Sequence, residues 1–376
     1  MNRIKIDNNK YNTGENMGKI RRVLMLLHPE MDHLSYMMYD GLYKILGKDN
    51  IDIYPYVNHY QGQGQVDDWY TLDDGKKGFT VSPGYISRHE TPRKSIEDII
   101  RDIKNYDIMY LSSGRTYVVG TLDTIINAVK RKNLPPLVFS EGEDYTELST
   151  IEHIKRKYDP VACFKRELIQ SELNKRPDLQ PLYPLPFCAI TDNSPPDNPN
   201  KDIDVFALFG NTHMLRENIV KAIGSSDLPK KYNVYVGIDR FWNEPEKVSW
   251  QDHTRFTMPP MMPYSAYLDL MSRAKINIVA RGWGNDSLRR FEAHMSSGIV
   301  LSDMLPIITP NPFIDNQHIV YYNPNNLSEL VTRIEYYLIA DNERRRIGMG
   351  GREHCMRYHT TETRARYFLE KVEQHI

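Results

Sequence analysis

A chain of 376 residues exceeds what one small hydrophobic core organises and points to two domains of ordinary size. Its composition is globular, 40% hydrophobic and 26% charged, and a formal net charge of −1 supplies no global field for nucleic acid or an anionic membrane. No apolar run approaches the roughly 18–20 residues of a membrane span, and the three scattered cysteines, Cys163, Cys188 and Cys355, imply neither a disulfide framework nor a zinc cluster.

The polar stretch 1–19 reads as a loose arm without an apolar signal-peptide segment, so a cytoplasmic location is expected. Strand and helix signals then alternate over a first domain, 20–175. "RRVLMLLH" reads as a buried strand. "LSYMMYDGLYKILG" reads as a helix stopped at Gly47, and "IDIYPYVN" as a second strand. "SIEDIIRDIKNY" is an amphipathic helix with Ser95 and Asp98 at capping-box spacing. "DIMYLSS", "TLDTIINAVKRKN" and "PLVFSEGED" continue as strand, helix and a strand ending in acids. This rhythm implies a mainly parallel sheet covered on both faces.

Seven prolines in residues 176–200 rule out a long helix there and mark a linker or an extended crossing. A second alternating series occupies 201–360: strand "DIDVFALFG", helix "HMLRENIVKAIG", strand "YNVYVG", helix "SAYLDLMSRA", strand "KINIVA", then "SLRRFEAHM", "GIVLSD", "HIVYYN" and "LSELVTRIEYYLIAD". The end of the chain reads as a helix pair with glycines between its members, the last segment, 361–376, crossing back to brace the first domain. Two doubly wound α/β domains thus face each other. In open α/β sheets ligands bind beyond the carboxyl ends of the strands, so the site is expected in the cleft between them.

The stretch "ARGWGNDSLRRFEAHMSSGIVLSD" carries the chemistry. Asp286 suits an N-cap, Ser287 opens a helix, and Gly298 suits a left-handed C-cap. Leu288, Phe291, Glu292 and Met295 share one face, so Glu292 stands among apolar residues and needs donors, for which ribose hydroxyls are suited. The free amides of 287–290 and the helix dipole favour an anion, to which Arg289 or Arg290 adds a charge-assisted bond. The alternative is a framework helix whose Glu292 pairs with a neighbouring arginine.

Here the chain resembles a family. Roughly residues 160–372, through "FKREL", "PLYPLPF", "DVFALFGNTHMLRENIV", "SLRRFEAHMSSGIVLSD" and the terminal "HTTETRAR", are similar to the nucleotide-sugar-binding half of GT-B glycosyltransferases of the group 1-like kind, especially the bacterial CgeB-like (spore-maturation-type) group. The resemblance implies two Rossmann-like domains in a GT-B arrangement. It also implies a nucleoside-diphosphate sugar as donor, with UDP as the leading base, no required cofactor and no metal. By it, Glu292 holds the donor ribose and Arg290 lies near the diphosphate. Gly210, Asn211 and Thr212 line the donor pocket, and Arg281, Gly282, Gly284, Ser287, Leu288 and Arg289 complete it. One departure is visible: where retaining members of the family often carry a first glutamate, eight residues before Glu292, this chain has Gly284.

If the transfer is inverting, the acceptor half supplies a carboxylate or histidine within reach of the acceptor hydroxyl as base. Asp144 and His28 lead, with Glu141 next, and Glu143, Asp32 and His33 share their strand-end placement. Arg115 reads as a surface arginine that can also steer an anionic acceptor. Trp283 stands out among the tryptophans because it lies in the glycine-rich loop, whereas Trp69, Trp242 and Trp250 read as packing. His354 and His359 read as surface or interface residues on the terminal helices. The acceptor itself, whether a glycan, a protein, a small molecule or a modified DNA base, is not legible. Two rivals remain: a nucleotide-sugar-binding protein without turnover, and a transferase acting on a DNA base through a basic groove formed by "RRV", "KRKN" and "HIKRKY".

Overall fold

The structure, a computed structural model, describes residues 18–29, 32–57, 69–71, 77–79, 89, 91–210, 212–239 and 264–376. Expectations placed on residues 1–17, Asn211, Trp242, Trp250 and the Trp69 side chain lie outside them.

The N-terminal unit runs β1 (Val23–Leu26), α1 (His33–Leu46), β2 (Ile51–Tyr54), a small antiparallel pair β3 (Trp69–Thr71) and β4 (Lys77–Phe79), then α2 (Ile96–Asp102), β5 (Ile108–Leu111), α3 (Thr116–Val129), β6 (Leu137–Glu141), α4 (Ser149–Tyr158), β7 (Ala162–Lys165), α5 (Gln170–Lys175) and β8 (Leu182–Pro184). Its six strands pair in parallel in the order β2-β1-β5-β6-β7-β8. The apolar run of β1 is buried throughout, as a central parallel strand requires. Asp32 caps α1 by accepting from the amides of Leu34 and Ser35, and Gly47, at φ 82°, ends it. Ser95 and Asp98 form a reciprocal capping box at the head of α2.

The proline-rich stretch is more than a crossing. Its residues 182–184 form β8, which among the described residues pairs only with β7 at the sheet edge, where proline's missing N–H costs no ladder bond.

The C-terminal unit runs β9 (Ile203–Gly210), α6 (Met214–Gly224), α7 (Leu228–Lys231), β10 (Val234–Asp239), α8 (Tyr264–Ser272), β11 (Ala274–Val279), α9 (Leu288–Met295), β12 (Ile299–Asp303), β13 (Val320–Tyr322), α10 (Leu327–Ile339), α11 (Asp341–Tyr358) and α12 (Thr361–Glu373). Its five strands are parallel in the order β10-β9-β11-β12-β13.

Three local expectations need correction. Ser287, not Asp286, is the N-cap of α9. The left-handed residue after α9 is Ser297, at φ 62°. Gly298 is instead a close-approach glycine, because a Cβ there would lie 2.6 Å from Asn277 Nδ2 and 2.7 Å from the Ala274 carbonyl. The glycines near the C-terminus do not separate two helices. Gly348, Gly350 and Gly351 lie inside α11, and the break falls at His359, with Thr360 capping α12.

One apolar cluster joins the units. Val23, Met25 and Leu34 from the first, Leu185, Phe187 and Ile190 from the crossing, Tyr267, Phe291 and Cys355 from the second, and Phe368 of α12 all belong to it. Helix α12 packs along α1, and the Thr361 hydroxyl donates to the buried Asp40 carboxylate. Among the described residues, no helix is long and apolar enough to cross a membrane.

Candidate functional site

In each sheet the strand order reverses once. After β1 the chain moves to β2 on one side, and after β5 to β6 on the other. The same reversal separates β9 from β11. A crevice opens beyond the strand ends at such a switch point.

At the β9/β11 crevice the side chain of Arg216, from the first turn of α6, acts as a staple. Its Nε donates to the Arg281 carbonyl at 2.9 Å, and its two terminal nitrogens to those of Gly210 and Ala280 at 3.1 Å each. Arg289, from the first turn of α9, lays its guanidinium 4.8 Å from the Phe209 ring centroid and 5.3 Å from that of Tyr267. Its Nη1 is buried without a hydrogen bond, and so is the Thr212 hydroxyl. Among the described residues neither arginine has an ion-pair partner, and Arg216 is held down to about 9, first by burial and then by the neighbouring Arg289 charge. Two cations without an ion-pair partner among the described residues thus stand beside a hydroxyl that lacks a hydrogen bond, near the start of α6.

The other residues of this half divide. Arg281 ion-pairs with Asp303 at 2.6 Å. Arg290 is buried, donates to Ser302 Oγ at 3.0 Å and to the Asp303 carbonyl at 3.2 Å, and lines a cavity of about 70 Å³ with Phe313 and Tyr321. It therefore sits behind α9, apart from the Arg216–Arg289 pair. The Ser287 amide is taken by Asp286 Oδ1 at 3.0 Å and the Arg290 amide by the Ser287 carbonyl, which leaves those of Leu288 and Arg289 for a ligand. Glu292 is half-buried, and its charge and burial both act to raise the pKa of the Tyr267 hydroxyl, burial the more strongly. Trp283 is exposed in the loop before α9.

Across the cleft, His28 lies at the end of β1, half-buried, with its ring edge-on to Tyr117 at 6.0 Å. Arg115 pairs with Glu143 at 2.7 Å. Glu141 is enclosed and ion-paired with the fully buried Lys165, out of reach of an acceptor, and desolvation raises its pKa. Asp144 keeps a half-exposed side chain and pairs with buried Arg166, whose guanidinium lies 4.3 Å from the Phe187 ring. Glu167, wholly buried, accepts from Asn285 N at 3.0 Å, Asn285 Nδ2 at 2.9 Å and Asp286 N at 2.8 Å. A Cβ at Gly284 would stand 2.6 Å from both Asp144 Oδ1 and Glu167 Oε1, so a glutamate there has no room.

His359 and His354 are not simple surface groups. Both imidazoles meet the Asn311 carbonyl at 2.9 Å, and His359 is fully buried. Sequence reasoning passes over Arg216, Arg166 and Glu167. The available signals are an arginine one turn into the helix that follows "FGNTH", and three successive charges placed directly after the apolar "ACF". Among the described residues no group of three or more His, Cys, Asp or Glu is arranged to hold a metal ion.

No curated protein matches the chain in sequence. Residues 216–370 match a family described as glycosyl transferase-like. Among solved structures, Anabaena HepE in complex with UDP-glucose superposes with a TM-score of 0.59 at 9% identity, over 94% of this chain and 100% of that one. Sucrose-phosphate synthase from Thermosynechococcus elongatus gives 0.56 at 10% identity, over 94% and 99%. An alpha-glucosyltransferase in complex with UDP-glucose and DNA gives 0.57 at 10% identity, over 93% and 98%. The chain thus has the two-domain fold of GT-B glycosyltransferases, and its residues 216–370 are glycosyl transferase-like in sequence.

Proposed function

We propose that this protein is a glycosyltransferase that binds a nucleoside-diphosphate sugar, a UDP-sugar first, at the β9/β11 crevice and transfers the sugar to a hydroxyl presented by the N-terminal half. The observation that carries the reading is the pair of guanidiniums, Arg216 and Arg289, without an ion-pair partner among the described residues, beside a Thr212 hydroxyl that has no hydrogen bond. A diphosphate supplies the missing negative charge, and the Leu288 and Arg289 amides add donors from the start of α9. Glu292, one turn further on, accepts the ribose hydroxyls. The UDP-glucose bound in HepE and in the alpha-glucosyltransferase supports uracil as the base.

In the transfer the acceptor oxygen bonds to the anomeric carbon as the bond from that carbon to the diphosphate oxygen breaks. The electron pair leaves with the diphosphate, where Arg216, Arg289 and the α9 amides stabilise the growing charge. His28 takes the acceptor proton. Of the residues expected to do so, it stands at the switch point of the N-terminal sheet, whereas Asp144 is engaged by Arg166 and Glu141 by Lys165.

Calorimetric titration with UDP, GDP, ADP, CDP and dTDP, on the wild type, Arg289→Ala and Glu292→Ala, tests the donor site. One diphosphate is expected to bind, with each variant weakening it by about tenfold or more, the loss of one charge-assisted bond. A folded wild type that binds none of them overturns the reading. Binding without consumption of the matching sugar nucleotide, in the presence or absence of acceptors, selects the non-catalytic alternative.

A further inference from the structure

We infer that Glu167, wholly buried beneath the loop ahead of α9, is a positioning residue that couples closure of the cleft to assembly of the donor site; the inference rests on the donor-site reading above. Residues 165–167 are three consecutive charged side chains with at most 2% exposure each, placed directly at the end of β7. Burying charge at that density is costly unless each group is paired; Lys165 pairs with Glu141 and Arg166 with Asp144 inside the first unit, while Glu167 reaches across to the second.

The Glu167 carboxylate accepts the amides of Asn285 and Asp286 together with the Asn285 side-chain amide. Those are the last two residues before the N-cap of α9. Asp286 then extends the grip in two directions. Its Oδ2 accepts from Phe187 N, in the crossing segment, at 2.6 Å, and its Oδ1 accepts from Ser287 N at 3.0 Å. Arg166, flanked by Asp144 and Glu167 and stacked on Phe187, supplies the countercharge that also bears on Asp286. Gly284 lets the two halves come this close, because any Cβ there would collide with Asp144 and Glu167.

The consequence is geometric. The direction of the first turn of α9, and with it the Leu288 and Arg289 amides and the Arg289 guanidinium, is set by a carboxylate of the opposite domain. When the cleft opens, three hydrogen bonds to 285–286 are lost and the loop ahead of α9 is released. When it closes, the anion receptor is assembled. Donor binding and closure therefore favour each other by linkage, and a sugar nucleotide is activated only in a cleft from which water is excluded.

The test compares Glu167→Ala, Glu167→Gln and Gly284→Ala with the wild type by UDP calorimetry, steady-state kinetics on the UDP-sugar, and small-angle X-ray scattering. Glu167→Ala is expected to raise the UDP dissociation constant and the donor KM about tenfold, as a fall in the closed fraction would. Glu167→Gln, which keeps one acceptor oxygen, should lie between the two. Gly284→Ala leaves every charge in place and wedges the same contact apart, so it should weaken UDP in the same direction. All three should give a larger radius of gyration than the wild type in the presence of UDP. A purely structural role predicts lower melting temperatures with unchanged UDP affinity and radius in the folded fraction, and that result overturns the inference alone. Failure of the wild type to bind any nucleotide overturns both it and the donor-site reading.

Discussion

Arg216 fills the space in front of Gly282: a Cβ on residue 282 would lie 3.0 Å from Arg216 Nη2 and 3.1 Å from Thr212 Oγ1. The glycine is thus a condition for the staple that joins the ends of β9 and β11 and holds a buried cation beside the crevice. Gly282→Val is expected to displace Arg216 and Thr212 together. The loss of one charge-assisted contact, about 1.5–3 kcal/mol, corresponds to roughly a 10- to 100-fold weaker UDP affinity by calorimetry. Unchanged affinity would mean that Arg216 only braces the strands.

The pair Glu141–Lys165 is expected to act on stability and not on chemistry. Removing one partner of a fully buried ion pair strands the other charge, which costs about 3–5 kcal/mol, whereas replacing both with apolar groups is close to neutral. Chemical denaturation of Glu141→Gln should therefore show a large loss that Glu141→Leu with Lys165→Met largely restores. His28→Ala should behave in the opposite way, with wild-type denaturation and UDP affinity but kcat lower by about 10²- to 10⁴-fold, the usual worth of a general base. Equal loss of stability in His28→Ala would place that imidazole in the framework.

How much of this was legible follows from what pattern rules can register. Periodicity locates α1, α2, α9 and all five strands of the second sheet, and the caps of α1 and α2 are legible, whereas those of α9 lie one residue away from where the sequence places them. The same rules pass over β7 and β8. The first has four residues and ends in buried charges that a polarity pattern assigns to solvent, and the second is interrupted by prolines that only an edge strand accepts. The proposed donor half of the site is partly visible in "NDSLRR", but a sequence does not show that Arg289 packs on Phe209 while Arg290 turns to Ser302. The grip of Glu167 on residues 118 and 119 positions further along is a tertiary fact with no local signature.

Two helical glycines should respond to alanine with opposite sign. Gly120 in α3 has open space where a side-chain methyl would stand, with nothing within 4 Å, so Gly120→Ala should stabilise the fold by about 0.5–1 kcal/mol through the unfolded chain. Gly351 in α11 would place a Cβ 2.3 Å from the His318 carbonyl and 2.6 Å from His294 Nδ1. The same helix-propensity gain is then outweighed by overpacking worth about 1–3 kcal/mol or more. Denaturation midpoints should move up for the first variant and down for the second. A rise for both would show that α11 can shift away from the loop that carries His318.

Acid should loosen the segment around Phe313. His294 is fully buried with both ring nitrogens unbonded, and stacks on Phe313 at 3.9 Å; His359 stacks on the same ring at 4.7 Å, and His318 stacks on His354 at 4.0 Å. Burial holds all four imidazoles below their ordinary value, His318 at about 4, and the cations facing them, Arg290 toward His294, Arg364 toward His359 and Arg357 toward His354, act in the same direction. Because the folded values are depressed, the unfolded chain binds more protons than the folded one once the pH drops below about 6.5, the value of a free imidazole. Stability is then fully present above that pH and is lost as the pH falls toward the folded values, each buried imidazole contributing up to ~1.4 kcal/mol per pH unit. Urea midpoints measured from pH 7.5 to 5 should fall steeply for the wild type and less steeply for His294→Phe, which keeps the stack on Phe313 but binds no proton. Parallel curves for the two proteins would remove His294 from the acid response and leave it to the remaining three histidines.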